Sequence, residues 1–231
     1  ELPMSAGLSP SAFEFHTVTL EHLKELELSR ISESEMVTFV THIQAPAISL
    51  LSVSFARSPD AGGSKFLPDF IQTHPLITRL DIAYSTMTSA SWSSILEQLP
   101  DLESLRAFGC QLSDEHLQAL TLRNVLPQLR VLKLENEFHL STSFIDRVVR
   151  THPALESVTL RGWDSSNISK ESLDSIKQRV QRLYVEAVIS SPEDICQSET
   201  DTESDHSDWE SESQGEWLSG DEVIVQGNAS T

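Results

Sequence analysis

The sequence predicts an α/β fold of about seven strand–helix repeats whose strands form one parallel sheet. Three observations support this prediction. A short apolar motif recurs every 25 to 29 residues, a proline stands at a fixed distance before it, and a helix N-cap follows most copies of it. Repeats of this length hold one strand and one helix each, and neighbouring repeats bury their apolar faces against each other.

The strands are predicted by apolar residues at the first, fourth and sixth positions of the motif. The last two of these positions alternate with polar ones, which is the period-2 pattern of a strand with one buried face. The first positions lie 25, 29, 25, 27, 26 and 25 residues apart. The seven copies are Leu23-Leu26-Leu28, Ile48-Leu51-Val53, Ile77-Leu80-Ile82, Leu102-Leu105-Ala107, Leu129-Leu132-Leu134, Leu155-Val158-Leu160 and Val180-Leu183-Val185.

The prolines mark the end of each repeat. Proline lacks an amide N–H and disfavours helical geometry in the residue before it, so it ends the preceding helix. One proline lies two residues before the motif in each of the five middle repeats, at Pro46, Pro75, Pro100, Pro127 and Pro153.

The helices are predicted by a Ser or Thr that lies between two apolar residues, one directly before it and one four places after it. This is the spacing of an N-cap with a hydrophobic staple. Five sets occur: Ile31-Ser32-Met36, Met87-Thr88-Trp92, Leu112-Ser113-Leu117, Leu140-Ser141-Ile145 and Ile168-Ser169-Leu173. Ser32 with Glu35 adds a capping box, and the second repeat has instead a loop at 59–63 before a helix near 66–74.

The period and the motifs resemble the longer leucine-rich repeats of ribonuclease-inhibitor-like proteins and of F-box substrate receptors. The fourth repeat is the closest match, with Cys110 and Leu112 after the motif and a helix from Ser113 through Leu117 and Leu120. Cys110 stands where that family has Asn or Cys, so the resemblance implies a buried thiol that bonds the backbone. The Thr-His-Pro segments at 73–75 and 151–153 are similar to those of fungal F-box-like proteins.

This resemblance implies a right-handed horseshoe-shaped solenoid over residues 18–189, with 1–17 as a lead-in or partial N-terminal cap and 190–231 as a separate tail. It implies a non-catalytic protein-interaction module, the substrate-recognition arm of an F-box-like ubiquitin-ligase adaptor. A stand-alone scaffold or inhibitor is the alternative. The F-box itself is not among these residues, so a Skp1-like adaptor would bind only through sequence outside this chain.

A partner surface is predicted on the concave face, which in this architecture carries the residues between the buried leucines. The later repeats gather Arg106, Lys133 and Arg161 around Phe108 and Tyr184. Arginine with aromatic residues is the composition of interface hot spots, so we expect a protein partner there. The alternative is that these are ordinary solvated strand positions and that neighbours partly cover Phe108.

The tail from 190 to 231 is predicted to be disordered, because its few apolar residues cannot offset the entropy of ordering it. The hydroxyl residues Ser198, Thr200, Thr202 and Ser207 each have an acid three places later, a spacing that resembles the preference of acidophilic kinases. Three functions remain open for the tail. Trp209, Trp217 and the apolar run at 223–225 form a short docking motif for a basic groove, or the tail keeps the chain soluble and shields the end of the repeats, or it folds back onto Arg106, Lys133 and Arg161.

Charge and composition exclude several classes of partner. The chain has 35 acidic and 16 basic side chains, a net charge of -19. Residues 183–231 hold 13 of the acids and no Lys or Arg, which leaves 22 acids and 16 bases, a net charge of -6, for residues 1–182. Such a chain repels phosphate backbones, so no nucleic-acid partner is expected. No apolar run approaches the roughly 20 residues of a membrane helix, so no membrane partner is expected either.

The first ten residues lack the basic start and apolar run of a signal peptide. Cys110 and Cys196 are too few for a disulfide framework, which favours a cytoplasmic or nuclear location. Because the sequence begins at Glu1 rather than Met, we interpret it as a piece of a longer protein.

No catalytic, metal or cofactor site is predicted. The single glycine pair, Gly62-Gly63, has no following Lys-Ser or Lys-Thr, so it is not a phosphate-binding loop. The eight histidines are scattered, and none forms a metalloprotease motif or a Ser-His-Asp set. We therefore expect no enzyme; an enzyme of unrecognised type is the remote alternative.

Overall fold

A computed structural model describes residues 17–56 and 66–188 of the chain. In chain order its strands are β1 (Val18–Thr19), β2 (Glu25–Ile31), β3 (Ile43–Gln44), β4 (Leu50–Phe55), β5 (Arg79–Ala83), β6 (Ser104–Phe108), β7 (Val131–Glu135), β8 (Ser157–Asp164) and β9 (Arg182–Val188). Its α-helices are α1 (Glu33–His42), α2 (Phe66–Gln72), α3 (Ser89–Glu97), α4 (Thr142–Thr151) and α5 (Lys170–Arg179). Short 3₁₀ helices cover Gln118–Thr121 and Ser165–Asn167. The fold of the described residues is therefore α/β and repeat-like.

Seven of these strands form one parallel sheet in the order β2-β4-β5-β6-β7-β8-β9, so the strands of the sheet follow one another as they do along the chain. The fourth and sixth residues of the apolar motif pair across all seven strands, as the sequence predicts. In the five inner strands these residues are buried to 1% exposure or less, whereas Leu183 and Val185 on β9 are only partly buried. The motif thus sets both the register and the core. The small pair β1-β3 is also parallel.

The prolines lie in tight turns between units, after the helices that they are predicted to end, except that no α-helix directly precedes Pro127 in the described part of the chain. At Pro46, Pro100, Pro127 and Pro153 the first apolar residue of the motif donates its amide to the carbonyl oxygen three residues earlier, at 3.0 to 3.1 Å. Proline then occupies the second position of the turn, where its fixed φ is favourable. Each turn directs the chain into the next strand.

Four of the five predicted N-caps are confirmed. The hydroxyls of Ser32, Thr88, Ser141 and Ser169 accept the amide N–H three residues later and begin α1, α3, α4 and α5. The capping box is present, because the Glu35 carboxylate accepts the Ser32 amide at 2.8 Å. The helix predicted near 66–74 is observed as α2, and the loop at 59–63 lies outside the described residues.

The prediction of an α-helix from Ser113 is wrong. The Ser113 hydroxyl and amide both contact Nδ1 of His116, at 2.7 and 3.2 Å, so the hydroxyl does not cap a helix. Asp114 instead accepts the amide and the hydroxyl of Ser141, at 2.9 and 2.7 Å, in the next unit. Turns and the 3₁₀ helix at Gln118–Thr121 follow, and Leu117 and Leu120 are fully buried without an α-helix.

A left-handed residue follows the motif in five units; it comes directly after β5, β6 and β7, and it lies at a register shift inside β2 and β8. It lies two places after the last apolar residue of the motif, at Arg30, Tyr84, Gly109, Asn136 and Gly162, with φ between 55° and 66°. Only glycine adopts this conformation without cost, and Asn tolerates it best among the others. In four of these units the following residue is buried: Ser85, Cys110, Glu137 and Trp163.

Candidate interaction surface

The predicted partner residues lie on one face of four adjacent strands, which we call the open face. Arg106, Lys133 and Tyr184 belong to one row that pairs in register across the sheet. Phe108 and Arg161 belong to the next row. The three cationic side chains are exposed, while Phe108 and Tyr184 are partly buried. The structure therefore brings all five residues onto the same surface, over β6 to β9.

Two ion pairs fix part of this surface. Arg106 and Glu135 are 2.7 Å apart across β6 and β7, and Arg161 and Glu186 are 2.7 Å apart across β8 and β9. The hydroxyl of Tyr184 donates to the same Glu186 oxygen at 3.1 Å. The Glu135 side chain is only 11% exposed, so Arg106 neutralises a carboxylate that is largely removed from water.

Phe108 packs edge-on against Tyr84, with ring centroids 5.2 Å apart and ring planes at 89°. This geometry is favourable for aromatic pairs. It also covers part of the Phe108 ring, in agreement with the interpretation of Phe108 as a strand residue partly covered by its neighbours.

A groove of about 670 Å³ runs along the open face where the strands begin. Its walls come from all seven strands of the sheet and the residues just before them, and they are mostly polar. Five cations line it, namely Arg79, Arg106, Arg130, Lys133 and Arg182, together with four acids, Glu25, Asp81, Glu103 and Glu156. Arg106 and Lys133 therefore belong to a larger group of cations than the sequence predicts.

Arg79, Arg130 and Arg182 were missed because only positions after the apolar residue at the fourth position of the motif were considered. Arg79 and Arg182 stand one place before that residue, in a row that pairs in register across the sheet. Side chains on alternate residues of a strand share a face, so position alone would have placed these two on the open face.

Asp81 lies within the cationic part of the groove. Burial raises the pKa of Asp81, because the charged carboxylate loses hydration, and the nearby charges of Arg106, Arg79 and Lys133 oppose this effect. The half-buried carboxylate lowers the positive potential that these three cations create.

The interior beneath the sheet contains Cys110, whose predicted role is confirmed. Cys110 is 2% exposed, and its thiol donates to the carbonyl oxygens of Ile82 and Phe108 at 3.5 and 3.6 Å. Burial and the neighbouring Glu137 raise the pKa of the thiol to about 12. A thiol with such a pKa is protonated at neutral pH and is therefore a poor nucleophile.

Glu137 occupies the same position in the next unit and is fully buried. Its carboxylate accepts the amides of Cys110 and Leu112, each at 2.7 Å. Burial raises the pKa of Glu137 to about 7, against the lowering effect of these two hydrogen bonds. One unit further, the indole of Trp163 donates to the Leu134 carbonyl at 3.3 Å. Three different side chains thus link one unit to the preceding one.

Two histidines in the described part of the chain, His74 and His152, are buried where helices end. His74 is buried at the end of α2, where its Nδ1 donates to the Phe70 carbonyl at 2.7 Å and its Nε2 accepts the Ala45 amide at 3.4 Å. Burial lowers the pKa of His152, the corresponding residue of the later Thr-His-Pro segment. Within the described ranges no three His, Cys, Asp or Glu side chains lie close enough to hold a metal ion.

The candidate phosphorylation residues Ser198, Thr200, Thr202 and Ser207 lie outside the described residues, as do Cys196 and the tail. In the ranges 17–56 and 66–188, no helix has the length and apolar character needed to cross a membrane. No protein-family model and no curated protein matches this sequence.

Proposed function

We propose that this chain is a non-catalytic protein-interaction module built from leucine-rich repeats, and that its partner lies on the open face over β6 to β9. In a solenoid of this type the open face is the concave one. The observation that carries the proposal is the placement of Arg106, Phe108, Lys133, Arg161 and Tyr184 in adjoining rows beside a polar groove of about 670 Å³.

Two features of this surface support binding rather than catalysis. Its cations are spread over strands β5 to β9 instead of converging on one reactive atom, which suits an extended contact. Arg106, Arg161 and Tyr184 are held by hydrogen bonds to Glu135 and Glu186, so less side-chain freedom is lost when a partner binds.

Site-specific photo-crosslinking tests the proposal. A photoreactive amino acid replaces Lys133 on the open face, Arg161 on the same face, or, as the control, exposed Lys177 on α5. We expect the first two chains to crosslink the same protein in a cell extract and the control to miss it. The proposal is wrong if the crosslinked proteins do not differ between the face and the helix.

The family resemblance places such a module in a ubiquitin ligase as its substrate-recognition arm, and we propose that setting on the resemblance alone. A stand-alone scaffold or inhibitor is the alternative. Copurification of the full-length protein with a Skp1-like adaptor supports the ligase, and a full-length protein that purifies without one supports the scaffold.

A further inference from the structure

We infer that the segment recognised by the groove is an acidic stretch of a partner protein, bound in an extended conformation across strands β5 to β9. This inference rests on the proposed function and adds the chemistry of the partner. It follows from which cations of the groove are already paired, from their spacing across the sheet, and from the position of Asp81.

The inference depends first on which cations of the groove already have an ion-pair partner. Among the described residues, Arg106 is paired with Glu135, and Arg130 lies 3.5 Å from Glu156. Arg79, Lys133 and Arg182 are exposed groove residues for which the described part of the chain offers no carboxylate within 4.0 Å. In the described part of the chain these three cations have no ion pair, while the groove acids Asp81 and Glu103, which also have none, lower the positive potential that a ligand meets.

The spacing of these three cations across the sheet sets the length of a ligand that contacts all of them. Neighbouring strands of a sheet lie about 4.8 Å apart, so the four intervals from Arg79 on β5 to Arg182 on β9 span about 19 Å. Lys133 on β7 lies midway. An extended chain rises about 3.3 Å per residue, so about six residues cover this distance. Asp and Glu in such a stretch meet the three unpaired cations in turn.

Asp81 provides the third step, because it pairs in register with Arg106, which pairs with Lys133. It is an acid within the row that an acidic ligand would cross. If the ligand is acidic, Asp81 weakens its binding by repulsion, and removal of that charge strengthens binding. A basic or neutral ligand responds in the opposite way or not at all.

Fluorescence anisotropy with a labelled, Glu-rich peptide of about ten residues tests the inference on the full chain. We expect Lys133→Glu and Arg79→Glu each to weaken binding about tenfold, and Asp81→Asn to strengthen it about threefold. The matched control is Lys177→Glu on α5, which makes the same change in net charge and should leave the affinity unchanged. An increase in salt from about 0.05 M to about 0.5 M should weaken binding, because surface charges are screened.

Equal losses from Lys133→Glu and Lys177→Glu overturn the inference, since they show attraction by net charge alone. Absence of peptide binding to the full chain also overturns it. A shorter chain that ends at Ser190 keeps all described residues and tests one cause of absent binding. If only this shorter chain binds the peptide, the acidic segment after Ser190 occupies the groove in place of a partner. A protein that crosslinks at Lys133 while the peptide fails to bind leaves the proposed function intact and rejects only the acidic ligand.

Discussion

The carboxylate of Glu137 lies 2.7 Å from the amide nitrogen of Cys110, in the buried layer between two successive units. A carboxylate in this place satisfies backbone donors that a parallel sheet leaves unpaired where its strands end. It does so at an electrostatic cost, because its charged form is removed from water.

The first prediction follows from this cost. Burial raises the pKa of Glu137 from 4.5 to about 7, so the folded chain holds this proton more firmly than the unfolded chain. The resulting stability is fully present below pH 4.5 and is lost as the pH rises through about 7. A shift of this size corresponds to on the order of 3 kcal/mol.

Urea unfolding of the wild type and of Glu137→Gln at about pH 5 and about pH 8 measures the effect. Glutamine cannot accept both amides, so we expect the variant to be less stable at the lower pH and the difference to shrink at the higher pH. Glu97→Gln, on the exposed end of α3, is the control and should show no such change. A difference that stays constant or widens at high pH contradicts the prediction.

The second prediction concerns Gly109 and Gly162, which occupy the same position in two units but have different surroundings. Both have left-handed backbones, with φ of 60° at Gly109 and 66° at Gly162. A Cβ added at Gly162 would overlap Oδ1 of Asn136, whereas one at Gly109 would meet the Tyr84 ring at 3.2 Å. We expect Gly109→Ala to cost about 1 to 2 kcal/mol in unfolding free energy and Gly162→Ala clearly more.

The double variant Asn136→Gly with Gly162→Ala isolates the overlap. Asn136 itself has a φ of 57°, so glycine fits its backbone. In this background the cost of Gly162→Ala should fall to about that of Gly109→Ala. An unchanged cost would show that backbone strain alone accounts for the loss.

The third prediction compares two serines with the same sequence signature. The Ser141 hydroxyl accepts the Phe144 amide at 3.2 Å and donates to Asp114 at 2.7 Å, while the Ser113 hydroxyl contacts the His116 ring in its own turn. Ser141→Ala should therefore lower the unfolding free energy by about 1 to 2 kcal/mol. Ser113→Ala should cost less, and an equal or larger loss from Ser113→Ala would contradict this difference in role.

Much of the fold was predictable from the sequence because local rules and packing agree along most of it. The apolar motif sets the register, proline ends each unit, and Ser32, Thr88, Ser141 and Ser169 begin helices as their spacing indicates. The signature failed at Ser113, where His116 and Asp114 form bonds that the pattern of apolar residues does not reveal.

The surface was only partly predictable for a similar reason. Alternation along a strand places Arg106 and Lys133 on the open face, and their register in the sheet is as expected. It does not reveal that Glu135 pairs with Arg106, or that Arg79 and Arg182 line the same groove, because these relations depend on neighbouring strands about 25 residues apart in sequence. The burial of Glu137 was likewise not predictable, because the other units have uncharged residues at the equivalent position.

The most direct test of the central claim, that the open face binds a protein, is quantitative capture by the intact chain and by a triple variant. Arg106→Ala, Phe108→Ala and Tyr184→Ala together remove cationic and aromatic contacts from β6 and β9, and urea unfolding checks that the variant remains folded. We predict that the wild type captures the partner that crosslinks at Lys133, and that the folded triple variant captures at least about tenfold less of it. Unchanged capture by that variant would contradict the account.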